Sequence, residues 1–242
     1  MIPSPAPTGQ SAAVRAARRQ AVSVAVATGL YGISVGALAV AAGLNIWQTQ
    51  LLSMVMFTGG SQFALVGVIG AGGLGGAAVA SAALLGGRNL LYAVQLGPLL
   101  GLRGWRRLLG AHLTIDESTA VALAQPTARP DARRAGFWWA GAGVWVCWNA
   151  LTLMGTLAGD AMGDPKAWGL DAAAAAAFLG LLWPRLAARR AQATAALAVG
   201  IALVTSPWLT PGLPVLASAL AALAVGLWPG RAHSGADQEG SP

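Results

Sequence analysis

Two short runs place hydrogen-bonding groups where the chain is otherwise apolar. Gly59-Gly60-Ser61-Gln62 lies inside LLSMVMFTGGSQFALVGVI (51–69), and Gly86-Gly87-Arg88-Asn89 interrupts the apolar block 74–102. A glycine pair lets a helix unwind, and the freed backbone groups then need partners that lipid cannot supply. Open amides beside Gln62 suit a polar ligand group. Arg88, Asn89 and the N–H groups of a half-helix starting at Leu90 suit a carboxylate. Each run also has a plainer reading. Residues 59–62 would form a small-residue helix contact glued by Ser61 and Gln62. Arg88 would sit in a loop at the tip of a hairpin, because facing lipid at mid-block costs about 2.5–3.5 kcal/mol.

Other polar residues are candidates on the same grounds. Asp116 and Glu117 lie in LLGAHLTIDESTAVALAQ (108–125) and are placed for proton coupling or for a gate with nearby arginines; their alternative is a solvated face at the membrane interface. Asp171 opens an apolar block, either as a helix N-cap or as a proton-coupling carboxylate. Tyr31 and Asn149 fall within spans and could line a path. Enzyme chemistry finds no support. Ser61 has no base in reach, since His112 and His233 are the only histidines and neither is in an apolar block. No metalloprotease or phosphate-loop motif occurs, and Cys147 stands alone, so no metal, cofactor or disulfide framework is expected.

These residues sit in a chain of 242, of which 56% are hydrophobic and 10% charged. A soluble domain carries roughly 25% charged residues. The apolar residues come in blocks at 22–43, 51–72, 74–102, 136–158, 171–184, 191–206 and 212–228, without the period of two of a β-barrel. The fold expected is all-α, a polytopic helical membrane protein with broken or re-entrant helices. The net charge of +7 comes from arginines grouped between the blocks, which argues for membrane loops and against nucleic acid. Tryptophans 138, 139, 168, 183, 208 and 228 fall near span ends, as an aromatic belt does.

Arginine groups at 15/18/19, 103/106/107, 129/133/134, 185/189/190 and 231 all read as cytoplasmic. An even number of crossings must then separate neighbouring groups. Three blocks lie between Arg19 and Arg103, so one of them is double or re-entrant. Block 74–102, folded at Gly86–Asn89, is the expected one. The resulting plan has a disordered cytoplasmic tail at 1–20, one transmembrane domain at 21–230 and a disordered tail at 231–242, with both termini cytoplasmic. Within the domain, halves 21–107 and 135–230 would be an internal duplication in parallel orientation, joined by an amphipathic cytoplasmic segment 108–134.

The chain resembles the AzlC family, the large subunits of two-component branched-chain amino acid exporters. The resemblance runs over most of residues 22–228 and is carried by GISVGALAVAAGL (32–44), LLSMVMFTGGSQFALVGVI (51–69), RNLLYAVQLGPLL (88–100), LTIDESTAVA (113–122) and GLDAAAAAAFLGLLWP (169–184). Where the family has Asn-x-Arg-His, this chain has Gly86-Gly87-Arg88-Asn89, and where an Asp-Phe pair is common it has Asp171-Ala172. The resemblance implies a secondary transporter in the inner (cytoplasmic) membrane that exports branched-chain or similar apolar amino acids. It also implies proton-motive coupling and a small AzlD-like membrane partner. A channel, or an assembly subunit that does not itself transport, is the alternative.

Overall fold

The computed structural model describes residues 9–162, 169, 176, 179, 180 and 182–227. Residues 1–8 and 228–242, residues 163–168 and most of block 171–184, including Asp171, lie outside the described residues. Residues 9–20, expected in a disordered tail, are instead the first turns of a helix, because their small face packs on the bundle at Ala17. All regular structure among the described residues is helical. We number the helices α1 (Gly9–Gly29), α2 (Tyr31–Ala41), α3 (Ile46–Val55), α4 (Gly59–Gly70), α5 (Gly75–Gly86), α6 (Arg88–Leu100), α7 (Trp105–His112), α8 (Asp116–Leu123), α9 (Pro130–Met162), α10 (Arg189–Thr205), α11 (Leu213–Ser218) and α12 (Leu220–Leu227). A 3₁₀ turn at Trp183–Ala187 precedes α10.

Among the described residues, three rods are long and apolar enough to cross a membrane: Gly9–Ala41, Gly75–Leu100 and Pro130–Gly159. The first and third lie side by side and run the same way. Gly29 meets Cys147, Gly32 meets Trp148 and Thr152, Gly36 meets Thr152 and Thr156, and Gly159 meets Ala37. Small residues allow this approach: a Cβ on Gly36 or Gly155 would drive into backbone of the facing helix. At the starting end, Gln10 donates to Asp131, Gln125 donates to Gln20 at 2.9 Å, and the Arg18 guanidinium covers Trp139.

α3 and α4 do not cross. Asn45 and Gln48 start α3 with a reciprocal capping box, each side-chain oxygen accepting the other's backbone N–H at 2.9 Å. α3 then descends antiparallel to α9, since Gln50 donates to the Asn149 carbonyl and Trp145 to the Met54 carbonyl. The helix stops at Val55 as Met56 leaves the helical region (ψ 68°) and Thr58 is extended (φ −158°). α4 climbs back until Gly70 lies against Ala42, the far end of α2. The pair is a re-entrant hairpin from the far end of the bundle, with its tip at residues 56–60.

α5 and α6 correct the expected hairpin at Gly86–Asn89. Gly87 keeps helical dihedrals (φ −55°, ψ −28°) and its N–H bonds the Ala83 carbonyl at 2.8 Å, so the chain runs through as one rod. Glycine permits unwinding without compelling it. Here the missing Cβ serves packing instead: at Gly86 a Cβ would lie 3.1 Å from Ser61 Oγ, whose hydroxyl donates to the Ala82 carbonyl at 2.8 Å. The rod ends at Gly101 (φ 60°), where Arg134 Nε donates to the Leu100 carbonyl at 3.1 Å. The arginines at 103–107 therefore join those at 15–19 and 129–134 at one end of the bundle. Between Arg19 and Arg103 the even number of crossings is met, with block 51–72 as the re-entrant one.

α7 and α8 form a second helical hairpin, from the arginine end. The mixed composition of α8 follows from packing, since it lies against α9 and α1 rather than on an open interface, while α7 is largely exposed. The turn between them closes its own polar groups. Ser118 Oγ accepts from Ile115 N–H at 3.0 Å and donates to the Leu113 carbonyl at 2.7 Å; Thr114 donates to the Gly110 carbonyl at 2.7 Å. After the undescribed stretch, α10 packs on α11 and α12 around the 206–212 turn. That turn docks on α5, with Ser81 Oγ donating to the Gly212 carbonyl at 3.3 Å.

Candidate functional site

The two hairpin tips meet inside the bundle. The rings of Phe57 and His112 are 5.7 Å apart, and between the tips lies a cavity of about 300 Å³. Phe57, Phe63, Ile115, Val144 and Trp148 make its apolar walls. Thr28, Tyr31, Thr58, Gly59, Gly60, Arg88, Asp116 and Glu117 supply its polar groups. Both α4 and α8 start here and run away from it, so two helix N-termini face the cavity. Each leaves backbone N–H groups without intrahelical partners. α8 brings its own carboxylates, Asp116 and Glu117, into its first turn; α4 has no acidic residue there, only Gly59 and Gly60. The α4 end is therefore the one left positive for an outside anion.

Arg88 lies halfway along the 26-residue rod Gly75–Leu100 and turns inward rather than to lipid. Its guanidinium meets Asp116 at 2.5 Å, and Tyr92 Oη donates to the other Asp116 oxygen at 2.7 Å. Arg88 Nε is buried without a partner among the described residues. Glu117 accepts a long 3.4 Å bond from Thr28 Oγ1 and has no ion pair among the described residues. With all three ionised, the centre carries one negative charge in excess, which suits a cationic group or a proton.

A larger cavity of about 920 Å³ continues toward the arginine end past Gln20, Tyr92, Gln95 and Thr119. It shares Thr28, Arg88, Asp116 and Glu117 with the first. The Arg88–Asp116 pair and the Thr28–Glu117 contact form the partition between the two.

The family model described as AzlC protein matches residues 23–162, more than half of the chain, and spans both hairpins and every group just described on α1 to α9 except Gln20. The chain belongs to the AzlC family. No curated protein and no solved structure matches it. AzlC membership gives the chain a transport role connected with branched-chain amino acids, and its apolar rods agree with a membrane protein.

The expected site residues fall into three groups in this AzlC chain. Gly59, Gly60, Tyr31, Arg88, Asp116 and Glu117 come together around the central cavity. Ser61 and Gln62 lie behind it, fully buried and bonded to protein: Gln62 Nε2 donates to the Met56 carbonyl at 2.7 Å, and its oxygen accepts from Trp148 Nε1 at 3.0 Å. Asn149 faces α3 and donates to the Trp145 carbonyl at 2.8 Å, away from the cavity lining. Asn89, next to Arg88, is half-buried and is not in the lining either. Asp171 is outside the described residues. Sequence reading missed Thr28, Phe57, Tyr92 and Trp148. Apolar and aromatic residues at mid-span carry no signal of their own. Tyr92 alone could have been found, one turn beyond Arg88 on the same face.

Proposed function

We propose that the chain is the transporting subunit of a secondary exporter for branched-chain amino acids in the cytoplasmic membrane. It would work with a small AzlD-like membrane subunit and draw on the proton motive force. The observation that carries this reading is the small, mostly apolar cavity where two re-entrant tips meet beside Arg88, Asp116 and Glu117. Non-helical backbone at membrane depth is tolerated where it is buried in protein or lines a cavity, and transporters bind their solutes at such places.

The solute's zwitterion matches the centre's asymmetry. Its carboxylate takes the Gly59 and Gly60 amides and Arg88, and its ammonium takes Glu117 and Asp116. The branched side chain lies against Phe57, Phe63, Val144 and Trp148. By the excess of positive charge in cytoplasmic loops, the arginine end faces the cytoplasm. The 920 Å³ cavity is then the inner vestibule, and the Arg88–Asp116 pair closes it from the centre. The substrate's own charges can replace both partners of that pair, so binding opens the partition. Asp116 and Glu117 are the groups that carry the coupling proton. The parallel run of α1–α2 and α9 is the pairing that a duplication in two parallel halves requires, which favours such an origin.

The test is export from cells fed leucine, isoleucine or valine dipeptides. Co-expression with the small partner lowers the internal amino acid. Unchanged internal pools would leave the alternative, an assembly subunit that does not itself transport.

A further inference from the structure

Trp148 forms one wall of the central cavity, and its ring is fixed from three sides. Its Nε1–H donates to Gln62 Oε1 at 3.0 Å. The Phe63 ring meets it edge to face, with centroids 6.4 Å apart. Gly59 lies beneath it so closely that a Cβ there would stand 2.7 Å from Cη2. Trp148 is 4% exposed and Gln62 is 0% exposed, so the ring is enclosed by protein except where it faces the cavity.

Gln62 is itself bound into the broken helix. α3 ends at Val55, which frees the carbonyls of its last turn. Gln62 Nε2 donates to two of them, Met56 at 2.7 Å and Ser53 at 3.5 Å. One buried amide thus closes the end of α3 and orients the indole of α9. A buried amide with partners on both its nitrogen and its oxygen is costly to disturb.

We propose that Trp148, held by Gln62 and seated over Gly59, sets the upper size limit on the amino acid side chain. The cavity then accepts branched aliphatic side chains and rejects aromatic ones. This rests on the central cavity being the amino acid site. Trp148 is the residue that touches the substrate; Gln62 is a positioning residue acting through it.

The two sides of the ring give opposite expectations. Trp148→Ala widens the cavity, and phenylalanine becomes a substrate. Gly59→Ala pushes the ring into the cavity, so leucine and isoleucine are lost before valine and alanine. Gln62→Leu releases the ring and raises phenylalanine relative to leucine, a change of ratio that mere destabilisation does not produce. The experiment measures export of valine, leucine and phenylalanine from dipeptide-fed cells that co-express the small partner, with each variant's membrane level measured alongside. The expected result is a rise of about tenfold or more in the phenylalanine-to-leucine ratio for Trp148→Ala. A fall in the leucine-to-valine ratio for Gly59→Ala is expected beside it. The wild-type order of substrates in every variant that still exports would overturn the proposal. If Trp148→Ala fails to reach the membrane, the Gly59→Ala ratio decides alone. A wild-type chain that exports none of the three would overturn the functional reading and this inference with it.

Discussion

Arg88 of α6 and Asp116 of α8 form an ion pair at 2.5 Å on the boundary between two cavities, far from either end of the rod that carries the arginine. The pair joins the Gly75–Leu100 rod to the tip of a hairpin. Its position makes it a structural tie and, in the transport reading proposed above, the barrier a solute displaces.

Removing one partner strands the other. Arg88→Gln and Asp116→Asn should each destabilise the protein by about 3 kcal/mol, the lower end for buried pairs, because both side chains keep some access to the cavities. The double variant should lose clearly less than the sum of the two. Thermal unfolding in detergent measures the cycle. All three variants should export leucine at least about tenfold more slowly, since a charge that receives the substrate is gone.

Glu117 behaves differently because it forms no ion pair among the described residues and feels the Arg88 charge only at longer range. Glu117→Gln keeps the shape and removes a charge that no ion pair holds. The melting temperature should hold or rise while export falls by about tenfold or more, the usual exchange of stability for function at a binding site. Melting and dipeptide-fed export on the same preparation check both halves.

The glycines of the α2–α9 contact are steric necessities. Gly36→Ala and Gly155→Ala each force a methyl group into facing backbone and should cost about 3 kcal/mol or more. Gly67→Ala meets nothing within 4 Å and should be neutral or stabilising by up to about 1 kcal/mol. Melting temperatures of the three variants provide the comparison.

Much of the architecture was legible before any coordinates. The composition gave the membrane class, and the arginine groups at 15–19, 103–107 and 129–134 gave three places that share one end. The glycine pairs marked two special positions but could not say what kind. At 59–60 the pair follows a true break, because Met56 and Thr58 leave the helix and Gln62 satisfies the freed carbonyls. At 86–87 the pair stays helical and serves contact with Ser61. Both need a missing side chain, and only the surroundings decide whether the backbone also turns. Segment 108–125 could not face lipid with Asp116 and Glu117 side by side, so it reads as lying at the interface or packing on the bundle, and the structure takes the second course. Asp116 and Glu117 face an internal cavity, which one-dimensional periodicity cannot tell from water.

The two readings of the glycine breaks differ in one accessible position. A hairpin at Gly86–Asn89 would leave residue 71 at the arginine end, whereas a re-entrant α3–α4 puts it at the opposite end. In a Cys147→Ser background, Ala71→Cys should react with an impermeant maleimide from the side opposite to Trp105→Cys and Arg129→Cys. Whole cells and inverted vesicles, labelled in parallel, report the side.

The central claim is that an amino acid binds between the two hairpin tips. Thr58 lines that space, so Thr58→Cys in the Cys147→Ser background reads it directly. The rate of alkylation by a small permeant thiol reagent should fall severalfold with saturating leucine and stay unchanged with lysine or glutamate. Equal rates with and without leucine, in a protein that still exports it, would contradict the account.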